Sequence, residues 1–275
     1  MSLVRVADGV LVGTSRRLRT TTTLALGPRR AGRRAGLLVD PAWEPDELES
    51  LAAACDERGI GVAAGFSTHA HHDHLLWHPA LGRDVPRWAT SAAARTARDA
   101  RAVLLAEAAQ DSSRYGGAEH PPEVLELLGA VRPLAAGATR IPDPDGALPE
   151  LELVEHDGHA PGHAAVWLPR SGVLLAGDML SDAELPLPHD EVTGACDVDS
   201  YRAGLDRLAP VVARADVVVP GHGTPSSWPS ARLEADRRYL DDVTAGRAVH
   251  DPRLGLPGAA GPHARLVAAV RRREA

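Results

Sequence analysis

The run STHAHHDHLLWH, Ser67–His78, packs five of the chain's thirteen histidines into twelve positions, directly after the apolar stretch GIGVAAGF. A buried strand holds the loop that follows it rigidly, and functional groups are commonly placed on such loops. Residues two apart on extended backbone point the same way, so His69 and His71 can present their imidazoles to one ion. Asp73 and His74 lie just beyond, where the chain is expected to turn into a helix. From there they can reach a second ion, since the metals of paired sites stand only about 3.5–4 Å apart. One short loop can therefore serve two metals, provided that the rest of the fold brings further ligands to it.

Four side chains are too few for two such ions, which take four or five donors each. The sequence offers more donors at the ends of later strands: His159 in DGHAPGH, Asp178 closing GVLLAGD, and His222 in VVVPGHG. Each sits on a glycine-rich turn, where backbone can pack closely behind a ligand.

Punctuation by Gly and Pro divides the chain into strands and helices. VRVADGVLVG, TTTTLALG and GLLVDP read as strands, followed by a helix over Pro45–Arg58 and the strand GIGVAAGF. A long helix is expected from Ser91, as its N-cap, to about Gln110, and another over Pro122–Leu128. This helical insertion, around 91–130, either roofs the site or packs as an outer layer. LELVEH, HAAVWLP and GVLLAGD read as three strands, the helix Asp199–Arg214 leads into the strand ADVVVPGHG, and a helical tail fills 230–275, beginning with a helix over Ser230–Ala245. Alternating strands and helices without a regular βαβ rhythm give α and β layers in one domain spanning 1–275.

Composition narrows the function. The net charge of −7 argues against a protein that holds nucleic acid by bulk phosphate neutralisation. All of the basic residues are arginine, and runs such as RRLR and RRAGRR read as solvated faces. The first residues lack a secretory pattern and no apolar run reaches the ~18 residues of a spanning helix, which makes a cytoplasmic location, away from membranes, the expectation. Cys55 and Cys196 are too few and too far apart for a disulfide framework and read as buried thiols. No sequence feature bears on oligomeric state.

Taken together, THAHHDH, GHAPGH, AGD and PGHG resemble the signature of the metallo-β-lactamase-fold superfamily, in the family's order, over roughly Val10–Pro225. The resemblance implies an α+β four-layer αβ/βα sandwich, with two packed mixed sheets, helices outside, and the site at one edge of the sheets. It further implies that His69, His71 and His159 hold one zinc, that Asp73, His74 and His222 hold the other, and that Asp178 bridges them. His163 is a second candidate for the third ligand. His159 is preferred because HAPGH then aligns with the family's turn. The chain has Asp40-Pro41-Ala42 where relatives carry Asp-Thr-Gly or Asp-Pro-Gly. Asp178 in place of Cys sets it apart from the zinc β-lactamases, and His71 in place of Glu from the di-iron, oxygen-reducing relatives.

The expected chemistry is hydrolysis of a small ester-like bond (thioester, lactone or carboxylic ester) by a metal-bound hydroxide, with Asp73 orienting that group or taking its proton. Two zinc ions per chain are expected, with iron or manganese as alternatives, because availability competes with ligand preference. The expected partner is a small-molecule substrate. The rival readings are phosphodiester or nucleic-acid hydrolysis on the same site and a non-catalytic metal-binding protein. His72 is expected behind the ligands or facing solvent, and the loop that holds His189 and Cys196 at the surface. Any of Tyr115, Tyr201 and Tyr239 is a candidate to assist.

Overall fold

Both faces of most strands are apolar, and that requires a layer against each side of each sheet. The computed structural model describes residues 1–275 apart from Ala31, Arg33, Ala42, Cys196 and Ala275. In chain order the elements are β1 (Val4–Ala7), β2 (Val10–Thr14), β3 (Thr21–Leu26), β4 (Arg34–Val39), α1 (Pro45–Glu57), β5 (Ile60–Phe66) and α2 (His72–Leu75). There follow β6 (Arg87–Ala89), α3 (Ser91–Asp99), α4 (Arg101–Arg114), α5 (Pro122–Leu125), β7 (Arg132–Pro133), β8 (Glu152–His156), β9 (His163–Leu168) and β10 (Val173–Gly177). The chain closes with α6 (Val198–Val212), β11 (Val217–Pro220), α7 (Pro229–Thr244) and α8 (Ala260–Glu274).

The first sheet has seven strands in the order β1 to β7, antiparallel as far as β4 and parallel from β4 to β7. The second has four, ordered β11-β10-β9-β8, with only β10 and β11 parallel. Alternation then sorts each strand. Ala25, Leu37 and Val39 face Val166, Leu168 and Leu175 in the core between the sheets. Their neighbours Leu24 and Leu38 face outward onto Leu51 and Cys55 of α1. On the second sheet, Ala165, Trp167 and Leu174 meet Leu205 of α6, Leu240 of α7 and Leu266 of α8. The result is helix, sheet, sheet, helix: the four-layer sandwich expected from the sequence.

Three local features differ from expectation. The helix starting at Ser91 is two helices, broken at Ala100 (φ −101°, ψ 18°), with no glycine or proline at the break to announce it. Its cap is Thr90 rather than Ser91: the Thr90 hydroxyl oxygen accepts from Ala93 N, and the hydroxyl donates to Gly162 O at 2.5 Å. The helices α3–α5 also connect two short parallel strands, β6 and β7, which the sequence does not reveal at lengths of three and two residues. Cys55 is buried, which pushes its thiol up to about 11, whereas Cys196 lies outside the described residues. No helix among the described residues is long and apolar enough to cross a membrane.

Candidate metal centre

Four strand ends deliver the predicted side chains to one edge of the sandwich. His69, His71, Asp73 and His74 follow β5, His159 lies in the turn between β8 and β9, Asp178 follows β10, and His222 follows β11. The two sheets are tied together beside them: Thr21 N donates to Gly221 O at 2.7 Å, and the Thr21 hydroxyl donates to Pro220 O at 2.5 Å. Gly221 is small of necessity, since a Cβ there would land on Asp178 Oδ1.

All seven residues converge. His69, His71, His159 and Asp178 form one group and Asp73, His74 and His222 another, with candidate ligand atoms in each group lying within 4.8 Å of one another. Asp178 stands between them. Its Oδ2 is 3.5 Å from both His69 Nε2 and His159 Nε2 and 3.4 Å from His222 Nε2, while Oδ1 is 3.2 Å from His74 Nε2. Asp73 Oδ2 lies 3.2 Å from His222 Nε2 and 3.5 Å from His74 Nε2.

The nitrogens turned away from the cluster are engaged by residues that the sequence reading missed. Asp40 (φ +47°) accepts from Thr68 N at 2.8 Å and from the Thr68 hydroxyl at 2.7 Å, which leaves the Thr68 oxygen to accept from His69 Nδ1 at 3.0 Å. Asp40 Oδ2 also stands 3.1 Å from His74 Nδ1. His71 Nε2 donates to Asp190 Oδ1 at 2.9 Å, His159 Nδ1 to Leu187 O at 3.0 Å, and His222 Nδ1 to Leu18 O at 3.1 Å. Such outer partners fix tautomer and ring orientation in metal sites. Asp190 and Leu187 belong to the loop expected at the surface, and the Asp40 signal was visible as an Asp-Pro turn but without an assigned task.

With the outer nitrogens donating, His71 Nδ1 and His159 Nε2 turn lone pairs toward each other at 3.3 Å. Only a proton or a cation between them resolves that arrangement. His69 Nε2 and Asp178 Oδ1 are buried without a hydrogen-bond partner, a costly condition that a metal ion relieves. These observations fit a pair of cations.

The electrostatics point the same way. Burial disfavours charge on every group, yet His74 is held well above the usual imidazole range by Asp178 and Asp73, and His222 by Glu184 and Asp178. Asp178 lies well below the carboxylate range despite burial, because His74, His222 and His69 surround it. Burial and the neighbouring imidazoles lower His69 strongly and His159 to about 4. The carboxylates thus draw positive charge into a buried space.

His163 lies elsewhere. Its Nε2 accepts from Asp178 N at 3.2 Å and its Nδ1 meets His156 Nε2 at 3.1 Å, so it supports the backbone of Asp178 rather than facing the cluster. His72 is buried edge-on to Trp43, near Glu107 and Asp111 of α4 at 4.0 and 3.7 Å, rather than facing solvent. Tyr201 and Tyr239 pack among the C-terminal helices, and Tyr115 against Trp43.

The sequence profile of the metallo-beta-lactamase superfamily matches residues 30–222. No curated protein matches the chain. Among solved structures, the metallo-beta-lactamase family protein TTHA1429 from Thermus thermophilus is 24% identical, with a TM-score of 0.64 over 97% of this chain and 94% of that one. TTHA1623 in a di-iron-bound form is 24% identical (TM-score 0.55, 81% and 97% covered), and the DIM-1 metallo-beta-lactamase 18% identical (TM-score 0.54, 87% and 96%). At these identities the likeness shows a shared fold.

Proposed function

Because the chain belongs to the metallo-beta-lactamase superfamily, whose members are mostly metal-dependent hydrolases, we propose that it hydrolyses a small ester-like bond in a thioester, lactone or carboxylic ester, using two zinc ions. The observation that carries this reading is the convergence of seven ligand-type side chains, with the outer nitrogens of His69, His71, His159 and His222 held by partners and with His69 Nε2 and Asp178 Oδ1 buried unpartnered within the cluster. His69, His71 and His159 would hold one ion, Asp73, His74 and His222 the other, and Asp178 both. Ions bound there would bring the pKa of a shared water toward about 7 and polarise the carbonyl under attack. Zinc suits the imidazole-rich set. The di-iron-bound form of TTHA1623 means that the fold alone does not select it.

The protein's own groups divide the remaining work. Asp73, held below the carboxylate range by His74 and His222 in spite of burial, stays ionised. It is a weak proton acceptor at neutral pH and serves better to orient the attacking water. Glu107 and Asp111 of α4 stand beside His72, and Glu184 Oε1 lies 3.9 Å from His222 Nδ1. The net charge of −7 gives no long-range attraction for a polyanion, which supports a small ester-like substrate over a nucleic acid.

The experiment is a panel of thioesters, lactones, esters, phosphodiesters and β-lactams, assayed with zinc and after chelation. The expected result is turnover of an ester-like member that chelation removes and zinc restores. Full activity after chelation contradicts the mechanism, preference for phosphodiesters contradicts the substrate class, and metal binding without turnover of any member makes the chain a metal-binding protein rather than an enzyme.

A further inference from the structure

The family profile ends at His222, yet the loops carrying Asp178 and His222 are anchored by residues that come after it. Arg253, on a short helical turn between α7 and α8, is 6% exposed and makes a fork of bonds inward. Its Nη1 donates to Asp236 Oδ1 at 2.6 Å, to Ser181 O at 2.9 Å and to Glu184 O at 3.0 Å, and its Nη2 to Asp251 Oδ2 at 2.8 Å. Asp236, on α7 and 1% exposed, uses its other oxygen to accept from Leu180 N at 3.0 Å. Leu180 is in the left-handed region (φ +61°), which a branched residue adopts only when its surroundings impose it.

From this loop the restraint passes to the ligands. Leu180 is two residues from Asp178, and the Ser181 hydroxyl donates to His222 O at 2.7 Å. A second link runs in parallel: Arg232 of α7 lies 3.2 Å from Asp182 Oδ1, and Asp182 accepts from Thr224 N at 2.8 Å and from the Thr224 hydroxyl. The segments Leu180–Glu184 and His222–Thr224 are thus bound to each other and to α7. The outer partners of His69, His71 and His159 are Thr68, Asp190 and Leu187, the last two farther along the loop that follows Asp178.

We propose that Arg232, Asp236 and Arg253 are positioning residues for the metal centre, and that the C-terminal segment sets its metal affinity through the two loops that carry Asp178 and His222. This inference rests on the proposed metal centre. A buried ion pair is weak evidence for stability in itself, and its better-attested use is to specify one geometry. Here a guanidinium fork bonded to two carbonyls and two carboxylates fixes the loop in a way that a lysine, which lacks the fork, cannot reproduce.

The test uses the full chain and zinc alone. Wild type, Arg253→Lys, Asp236→Asn and Arg232→Gln are titrated with zinc against a competing chelator, with Arg237→Ala on the outer part of α7 as a control and circular dichroism to verify folding. Wild type is expected to bind two ions. Arg253→Lys and Asp236→Asn are expected to weaken zinc binding tenfold or more in chains that remain folded, Arg232→Gln to weaken it to a smaller extent, and Arg237→Ala to leave it within twofold of wild type. Arg232→Gln removes a partly exposed pair and keeps the test readable if the buried variants fail to fold. Zinc affinity within twofold of wild type in the folded Arg253→Lys, Asp236→Asn and Arg232→Gln variants, or a fall of the same size in Arg237→Ala, overturns the inference while leaving the metal centre standing. A wild-type chain that binds no zinc overturns both.

Discussion

At the scale of single residues, the site works by dividing each imidazole into an inward and an outward nitrogen. Asp190 illustrates the division, since its carboxylate holds His71 Nε2 at 2.9 Å and also accepts from Thr193 N at 3.1 Å. Asp190→Asn preserves the shape but offers His71 a weaker acceptor, and zinc affinity is expected to fall by about 10–100-fold in a competition titration. Asp178→Ala is expected to remove hydrolysis and metal together while the fold remains. Acid sensitivity has a residue-level origin as well. His156 is buried, which together with Arg207 lowers it to about 3. In the unfolded chain it titrates near ~6.5, so above that pH it has no effect. Below it the unfolded state binds a proton that the native state refuses, and stability falls by about 1.4 kcal/mol per pH unit until pH about 3. His156→Gln is expected to flatten that slope by about one proton in melting curves recorded from pH 7 to pH 4; an unchanged slope contradicts the assignment. The seven candidate ligands that the fold brings together were legible in the sequence because metal chemistry would demand particular residue types next to strand ends. Asp40, Asp190 and Leu187 were not, because a supporting acceptor is any carboxylate or carbonyl that the fold carries into place.

At the scale of elements, the pattern of apolar residues on both faces fixed the layers, while lengths and breaks depended on contacts distant in sequence. Leu37 and Leu38 are adjacent on β4 and both fully buried, one between the sheets and one under α1. Leu37→Ala and Leu38→Ala are each expected to cost about 2–5 kcal/mol in denaturant unfolding, whereas a sheet covered on one face would make one of them nearly neutral. The strands β1–β5 and β8–β11 could be read from β-branched and aliphatic runs closed by Gly or Pro. The two-residue β7 and the three-residue β6 could not, since segments that short have no period to detect. The break at Ala100 likewise has no local signal, because alanine favours continuing a helix. Glycines at element ends carry a further constraint. Gly221→Ala would place a methyl group on Asp178 Oδ1. That variant is expected to stay folded and to lose metal, as read by elemental analysis beside circular dichroism.

At the scale of the whole molecule, two sheets with different connectivity meet along one edge, and that edge collects candidate ligands 153 positions apart in the chain, from His69 to His222. The fold does the collecting: parallel strands β5, β10 and β11 all end there, and a β3–β11 contact through Thr21 locks the sheets in relative position. Residues past the family profile complete the arrangement through Arg232, Asp236 and Arg253. The central claim is that this edge is built around two cations. Anomalous diffraction from crystals of the full chain grown with zinc tests it most directly. Two peaks are predicted, one bounded by His69, His71 and His159 and one by Asp73, His74 and His222, with Asp178 between them; no peak at saturating zinc, or peaks only at other side chains, would contradict the account.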